Sequence, residues 1–244
     1  MARTLGWIAA GGLSVGVVFL SLAYATGGSD LRRSAELGFD MPFGRSCEKN
    51  DATASERRLK WDGDDTVSIA GFATVHYRGG EGDEVIVRGA PDVVANIEVQ
   101  GGRITLNCRG IGSHAVDITL PGRAFRKINL SGAGKVSLEN VSQPELALGI
   151  SGSGSLSAQG SVDHLTVSIA GSGGAKLGDL VVKQLTVKVS GSGNIEAAPK
   201  DVADINVSGA GNVRLLTRPG QLRSHVSGSG RITQAPLESA DGKK

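Results

Sequence analysis

Hydrolysis of a glycoside needs two carboxyl groups facing each other across the scissile bond, roughly 5–9.5 Å apart. In this chain Glu145, Asp163 and Asp201 return at comparable places, each six or seven residues before the small residue that opens a Gly-x-Gly pair. Between the last two, the corresponding place holds Lys183 and Gln184, which breaks the acidic column. Solvated charges on an outward face are therefore the preferred reading, with a carbohydrate-active β-helix as the alternative. His76, His114, His164 and His225 are scattered, with no i, i+4 pairing and no cysteine beside them, so metal ligation is not expected. Cys47 and Cys108 lack C-x-x-C spacing. In an oxidising compartment they could pair, and two independent thiols are the other reading. Serines abound, yet none stands in a G-x-S-x-G elbow at a strand-to-helix turn.

The Gly-x-Gly pairs invite a phosphate-binding reading. A G-x-G-x-x-G loop would place glycine at 137, 157, 176, 196, 214 and 233, where the chain has Ser137, Ser157, Lys176, Glu196, Arg214 and Thr233. No helix follows the pairs to offer its N-terminus to a phosphate. Calcium-binding nonapeptide repeats need an Asp that is absent at that offset. No cofactor and no metal are expected, and a formal charge of +2 gives no pull towards nucleic acid. One local charge feature remains. From Ile205 to Leu237 there is no acidic residue, while Arg214, Arg218, Arg223 and Arg231 all fall there. Protection of a terminal strand edge is preferred over a basic surface for an anionic partner.

What positions these residues is a repeat. The pairs Gly132/Gly134, Gly152/Gly154, Gly171/Gly173, Gly191/Gly193, Gly209/Gly211 and Gly228/Gly230 recur at steps of 18 to 20 residues, the signature of a solenoid. Before each pair apolar residues alternate, as in Leu146, Leu148, Ile150 and Leu165, Val167, Ile169. Such period-two patterning means strands with one buried face. An apolar residue recurs beyond the pair at Val136, Leu156, Ile195, Val213 and Ile232. Each repeat thus reads as strand, sharp corner, strand and return, in three short sides. Glycine at both positions of a corner stacked on its neighbours is expected to permit φ > 0, and the absence of a Cβ to let neighbouring corners approach. Ahead of the repeats, "ANIEVQGGRITLNC" and "VHYRGGEGDEVIVRG" read as hairpins covering the first edge, "APDVVANI" as a short helix, and "SIAGFATVHY" as a degenerate corner.

The stretch "SIAGFATVHYRGGEGDEVIVRGAPDVVANIEVQGGRITLNC", then "VDITLP", then "INLSGAGKVSL" and the recurring S-G-[SA]-G resemble the auto-transporter adhesin head, or GIN, domain family over about residues 61–234. These are bacterial exported β-solenoid domains. The resemblance implies a right-handed parallel β-helix of about 19–20 residues per coil, and it brings no catalytic residues. No series of amphipathic ~10-residue strands follows the repeats to form a translocator barrel, so a membrane-tethered envelope protein is expected.

The two ends complete the plan. Leu5 to Ala25 is uncharged and long enough, as a helix, to cross a bilayer core of ~30 Å. An uncleaved anchor is preferred over a signal peptide cleaved after Ala25. The expected organisation is an anchor or signal at 1–25, a polar linker at 26–60, the all-β solenoid at 61–235 and a tail at 236–244. The expected role is non-enzymatic: adhesion, scaffolding or binding in the cell envelope, facing the periplasm. The partners would be the membrane and envelope polysaccharide or protein.

Overall fold

The structure, a computed structural model, describes residues 54–106 and 116–236. The strands are β1 (Ser55–Lys60), β2 (Thr66–Gly71), β3 (Ala73–Arg78), β4 (Glu84–Gly89), β5 (Ile97–Gln100), β6 (Arg103–Leu106), β7 (Val116–Thr119) and β8 (Lys127–Gly132). They continue as β9 (Lys135–Gly152), β10 (Ser155–Gly171), β11 (Gly174–Gly191), β12 (Asn194–Gly209), β13 (Asn212–Leu215), β14 (Gln221–Gly228) and β15 (Arg231–Gln234). One short helix, α1 (Pro91–Ala95), follows β4. From β8 onward the chain winds as a β-solenoid of about five turns.

Alternation builds the core. Within one turn, Leu156 and Ala158, then Val162, then Leu165, Val167 and Ile169 are all buried. The in–out rhythm breaks between these groups, so each turn has three sides. The turns stack in parallel register, and like residues form columns. One column runs Val67, Ile128, Leu148, Val167, Val187 and Ile205. Its neighbour runs Ile69, Leu130, Ile150, Ile169, Val189 and Val207. Burying one such side chain contributes about 1.5–3 kcal/mol. No charged or polar residue is buried as a whole among the described residues, although both carboxylate oxygens of Asp92 in α1 are shielded without a hydrogen-bond partner.

The corner uses its two glycines for different reasons. Gly171 has φ +119°, and a Cβ on it would sit 2.5 Å from the carbonyl oxygen of Gly152 one turn below. Gly173 has no positive φ; a Cβ there would meet Ile150 Cγ2 at 2.6 Å and Gly154 O at 2.8 Å. The expectation of φ > 0 at both glycines is therefore corrected at every corner, while the expected close approach without a Cβ is found at both positions. The second glycines Gly134, Gly154, Gly193, Gly211 and Gly230 likewise lack a positive φ, whereas the first glycine of each pair has one. What these positions require is space. A Cβ would meet Ile169 Cγ2 at 2.7 Å from Gly193, Val189 Cγ1 at 2.6 Å from Gly211 and Val207 Cγ1 at 2.8 Å from Gly230. From Gly134 it would meet Ala73 O at 2.7 Å. The first glycine turns the chain, and the second leaves room for the aliphatic column tucked beneath it. Each corner is also tied to the one below: the Ser172 N–H donates to Gly152 O at 2.9 Å, and the Gly174 N–H to Gly154 O at 3.0 Å. The degenerate corner is real, since Gly71 has φ +119° and stands in register with Gly132.

The N-terminal portion departs from expectation in two places. β5 and β6 form the expected hairpin around Gly101 and Gly102, both at positive φ. β3 and β4 do not. β7 lies between them, parallel to β3 and antiparallel to β4. The loop that would have been their turn spends its amides elsewhere: Gly79 N–H donates to Glu139 O and Gly80 N–H to Gly122 O. That leaves the outer edge of β3 free to extend the parallel stack. The second departure is β1, which falls inside the segment expected as linker and pairs antiparallel with β4 from Ser55↔Gly89 to Lys60↔Glu84. The expected N-terminal apolar helix lies outside the described residues, among which no helix is long and apolar enough to cross a membrane.

Candidate binding face

Beyond each corner the chain runs out as a short strand, with buried Leu156, Ala175, Ile195 and Val213 pointing in. The residues on either side of them alternate outward. Parallel register then stacks these outward residues into two columns. The first holds Lys135, Ser155, Gly174, Asn194, Asn212 and Arg231. The second holds Ser137, Ser157, Lys176, Glu196, Arg214 and Thr233. All of them except Ser137 line an open groove of about 690 Å³. Across its floor the Asn212 side-chain amide donates to Asn194 Oδ1 at 3.1 Å. Arg214 reaches the Glu196 carboxylate at 3.7 Å. The second column occupies the six positions that rule out a phosphate loop. Their common offset from the corner was readable, but their convergence on one groove needed the register.

The carboxylates do not assemble. Glu145 stands in register with His164 and Gln184, not with Asp163. Asp163 is bridged instead to Lys183 at 2.8 Å. The Asp163 carboxylate, by hydrogen bond and charge and with help from Asp201, holds the Lys183 ammonium above its ordinary value. The column is therefore acid, base, acid, and its inner member is a cation. A glycosidase pair needs one carboxyl to protonate the leaving group and a facing carboxylate to attack the sugar or to activate a water. A lysine fixed in that place supplies neither.

The remaining candidates lie apart. His76 approaches Asp117 at 4.0 Å on an exposed surface. His164 and His225 sit on different turns, and His114 lies outside the described residues. No group of three metal-ligating side chains occurs among the described residues. Cys47 and Cys108 also lie outside them. The four arginines divide. Arg214 faces Glu196, and Arg218 Nε donates to Ala235 O at 2.9 Å. Arg223 and Arg231 stand exposed on the last turn, in β14 and β15.

A family model described as "Putative auto-transporter adhesin, head GIN domain" matches residues 65–219, more than half of the chain. The chain belongs to this GIN domain family. No curated protein matches it. Among solved structures, a "putative adhesin" from Bacteroides fragilis is similar at 18% identity and a TM-score of 0.60, covering 78% of this chain and 100% of that one. That likeness is one of fold. Two others are a "putative adhesin" from Parabacteroides merdae (15% identity, TM-score 0.47, 78% and 99% covered) and a "putative lipid binding protein" from Parabacteroides distasonis (16%, 0.46, 76% and 98%).

Proposed function

We propose that this GIN domain protein is a non-enzymatic, exported component of the cell envelope, whose solenoid faces serve adhesion or scaffolding. The observation that carries this reading is the alternation Asp163–Lys183–Asp201, which places a cation where catalysis would need a facing acid. A rigid, regularly spaced surface suits binding, because its side chains are positioned by strands rather than by loops. The right-handed winding implied by the resemblance agrees with the near-universal hand of parallel crossovers. Tethering to a membrane through Leu5–Ala25, or release after Ala25, belongs to the same proposal and rests on the sequence alone. The test is a screen of the full chain against bacterial envelope polysaccharides and proteins, run alongside an assay for polysaccharide degradation. Capture without degradation is expected. Degradation that disappears in Glu145→Gln or Asp163→Asn would overturn the reading in favour of a carbohydrate-active β-helix.

A further inference from the structure

Gly174 is a glycine that the fold does not demand. It follows a corner but lies in β11, its φ is not positive, and a Cβ there would meet only Asn194 O at 3.6 Å, an ordinary contact. Glycine inside a strand weakens it, and often marks a place that another molecule approaches closely. Gly174 lies in the floor of the groove, flanked in its column by Ser155 and Asn194.

The charges around that bare patch are one-sided. Lys135, Lys176, Arg214 and Arg231 line the groove against a single carboxylate, Glu196. Only Arg214 finds an acid within 4.0 Å; Lys135, Lys176 and Arg231 have none among the described residues. Lys176 and Arg214 stand two turns apart in one column, a spacing of ~10 Å; Lys135 stands two turns below Lys176 but in the neighbouring column, which puts it ~12 Å away. Between them Ser155, Ser157, Asn194 and Asn212 offer hydroxyls and amides that both donate and accept. No Trp, Tyr or Phe lines the groove, so the stacking platform that would favour a neutral sugar is missing. An acidic peptide would also meet the cations. It would find no backbone to pair with, because β10, β11 and β12 each have neighbours on both edges over this stretch.

We infer that the groove holds an extended acidic polysaccharide lying across the turns, with a carboxylate on alternate sugars. Lys135, Lys176 and Arg214 donate to successive carboxylates, a charge-assisted contact. The floor residues hydrogen-bond the intervening hydroxyls, and Gly174 lets the chain lie close. This inference rests on the binding-module reading above.

The test uses the full chain and hyaluronate oligosaccharides, whose uronates alternate, with dextran oligosaccharides and poly-glutamate as controls in titration calorimetry at low salt. Hyaluronate is expected to bind and to weaken as salt is raised, because exposed charges are screened. Dextran is expected not to bind. The double variant K135Q/K176Q, altered at two exposed positions, should bind about tenfold more weakly. Gly174→Tyr should abolish binding while keeping the thermal midpoint of the wild type. Absence of hyaluronate binding would overturn the inference, as would undiminished binding by K135Q/K176Q. Poly-glutamate binding as tightly as hyaluronate would point to an acidic protein instead. If the wild type still captures envelope fractions when hyaluronate fails, the groove assignment alone falls and the binding-module reading stands.

Discussion

The two ends of this solenoid are made from the same kind of strand and are finished differently. At the N-terminal end β1, α1 and the β5–β6 hairpin accompany the first corner, and the core there includes three aromatic rings. Phe125 meets Trp61 edge-on at 5.3 Å and Tyr77 at 5.8 Å, and all three are buried. At the C-terminal end β14 pairs only with β12, and β15 only with β13, among the described residues. The column that runs from Val67 to Ile205 ends there in Ser224, and the next ends in Val226, which is 38% exposed while Val207 directly below it is fully buried. The lesson is that burial in a stacked fold is conferred by the next turn. A valine at the same register position is core in one turn and surface in the following one. Stability should therefore be graded along the axis.

The largest expected effect tests that gradient directly. Phe125→Ala removes a ring that is 1% exposed and touches two others, and should cost about 3–5 kcal/mol by equilibrium urea unfolding. Val226→Ala should cost less than about 0.5 kcal/mol, as for a surface change. Similar losses at the two positions would mean that the last turn is covered as well as the first, and the contrast would be lost.

The next effect concerns the corners. Gly171 and Gly228 share a positive φ, +119° and +122°, and each has the preceding corner's carbonyl beneath it. Alanine in such a conformation is strained by about 1–3 kcal/mol wherever it occurs. In the middle of the stack Gly171→Ala must also push against Gly152 with Gly191 of β11 closing in from above, whereas at the end the turn can lift away. Gly171→Ala is expected to lower the thermal midpoint more than Gly228→Ala. The reverse order would show that the last turn is held as rigidly as the others.

These contrasts mark how far the sequence could be read. The corners, their stacking and the inward residues Leu146, Leu148, Ile150 and their counterparts were legible, because repetition multiplies a weak period-two signal into an unmistakable one. The separate duties of the paired glycines were not legible, because a glycine kept for its φ and one kept for the space above Ile150 look the same in a string of letters. The C-terminal exposure was half legible: Ile232 looks like any other post-corner residue, and among the described residues no further turn covers it. β1 was hidden because SERRLK carries one apolar residue, Leu59, and owes its strand to pairing with β4 rather than to pattern. The insertion of β7 between β3 and β4 was hidden for a related reason. Strand order is decided by which edge is left free, and no local spacing encodes that. The groove was invisible as a site, since its residues are scattered over a hundred positions and meet only through register. Its one advance sign was the shared offset from the corner.

A smaller effect bears on the exposed edge itself. β14 reads QLRSHVSG, in which Arg223 is the only residue carrying a permanent charge. An unpaired strand without charge is a template for another chain. Arg223→Ser should produce oligomers that grow with protein concentration in sedimentation velocity, while the wild type at the same concentrations does not change. A variant that sediments like the wild type at every concentration would assign protection of the edge to something other than this arginine.

The smallest effect belongs to the opposite end and has a sign that can be worked out in advance. Burial raises the Tyr77 phenol above its ordinary value of 10.0, because the phenolate would be poorly solvated against Phe125. The unfolded chain then gives up this proton at lower pH than the folded one. The stabilisation from a neutral, buried Tyr77 is thus complete below the ordinary tyrosine value and declines as pH rises through the higher folded one. In urea unfolding across that alkaline window the wild type should lose stability that Tyr77→Phe retains. Hydrogen exchange should locate the early opening in β2, β3 and β7 rather than in β14 and β15. If the difference between wild type and Tyr77→Phe were independent of pH, or if the C-terminal strands opened first for alkaline reasons of their own, the aromatic cluster would not be what distinguishes the two ends.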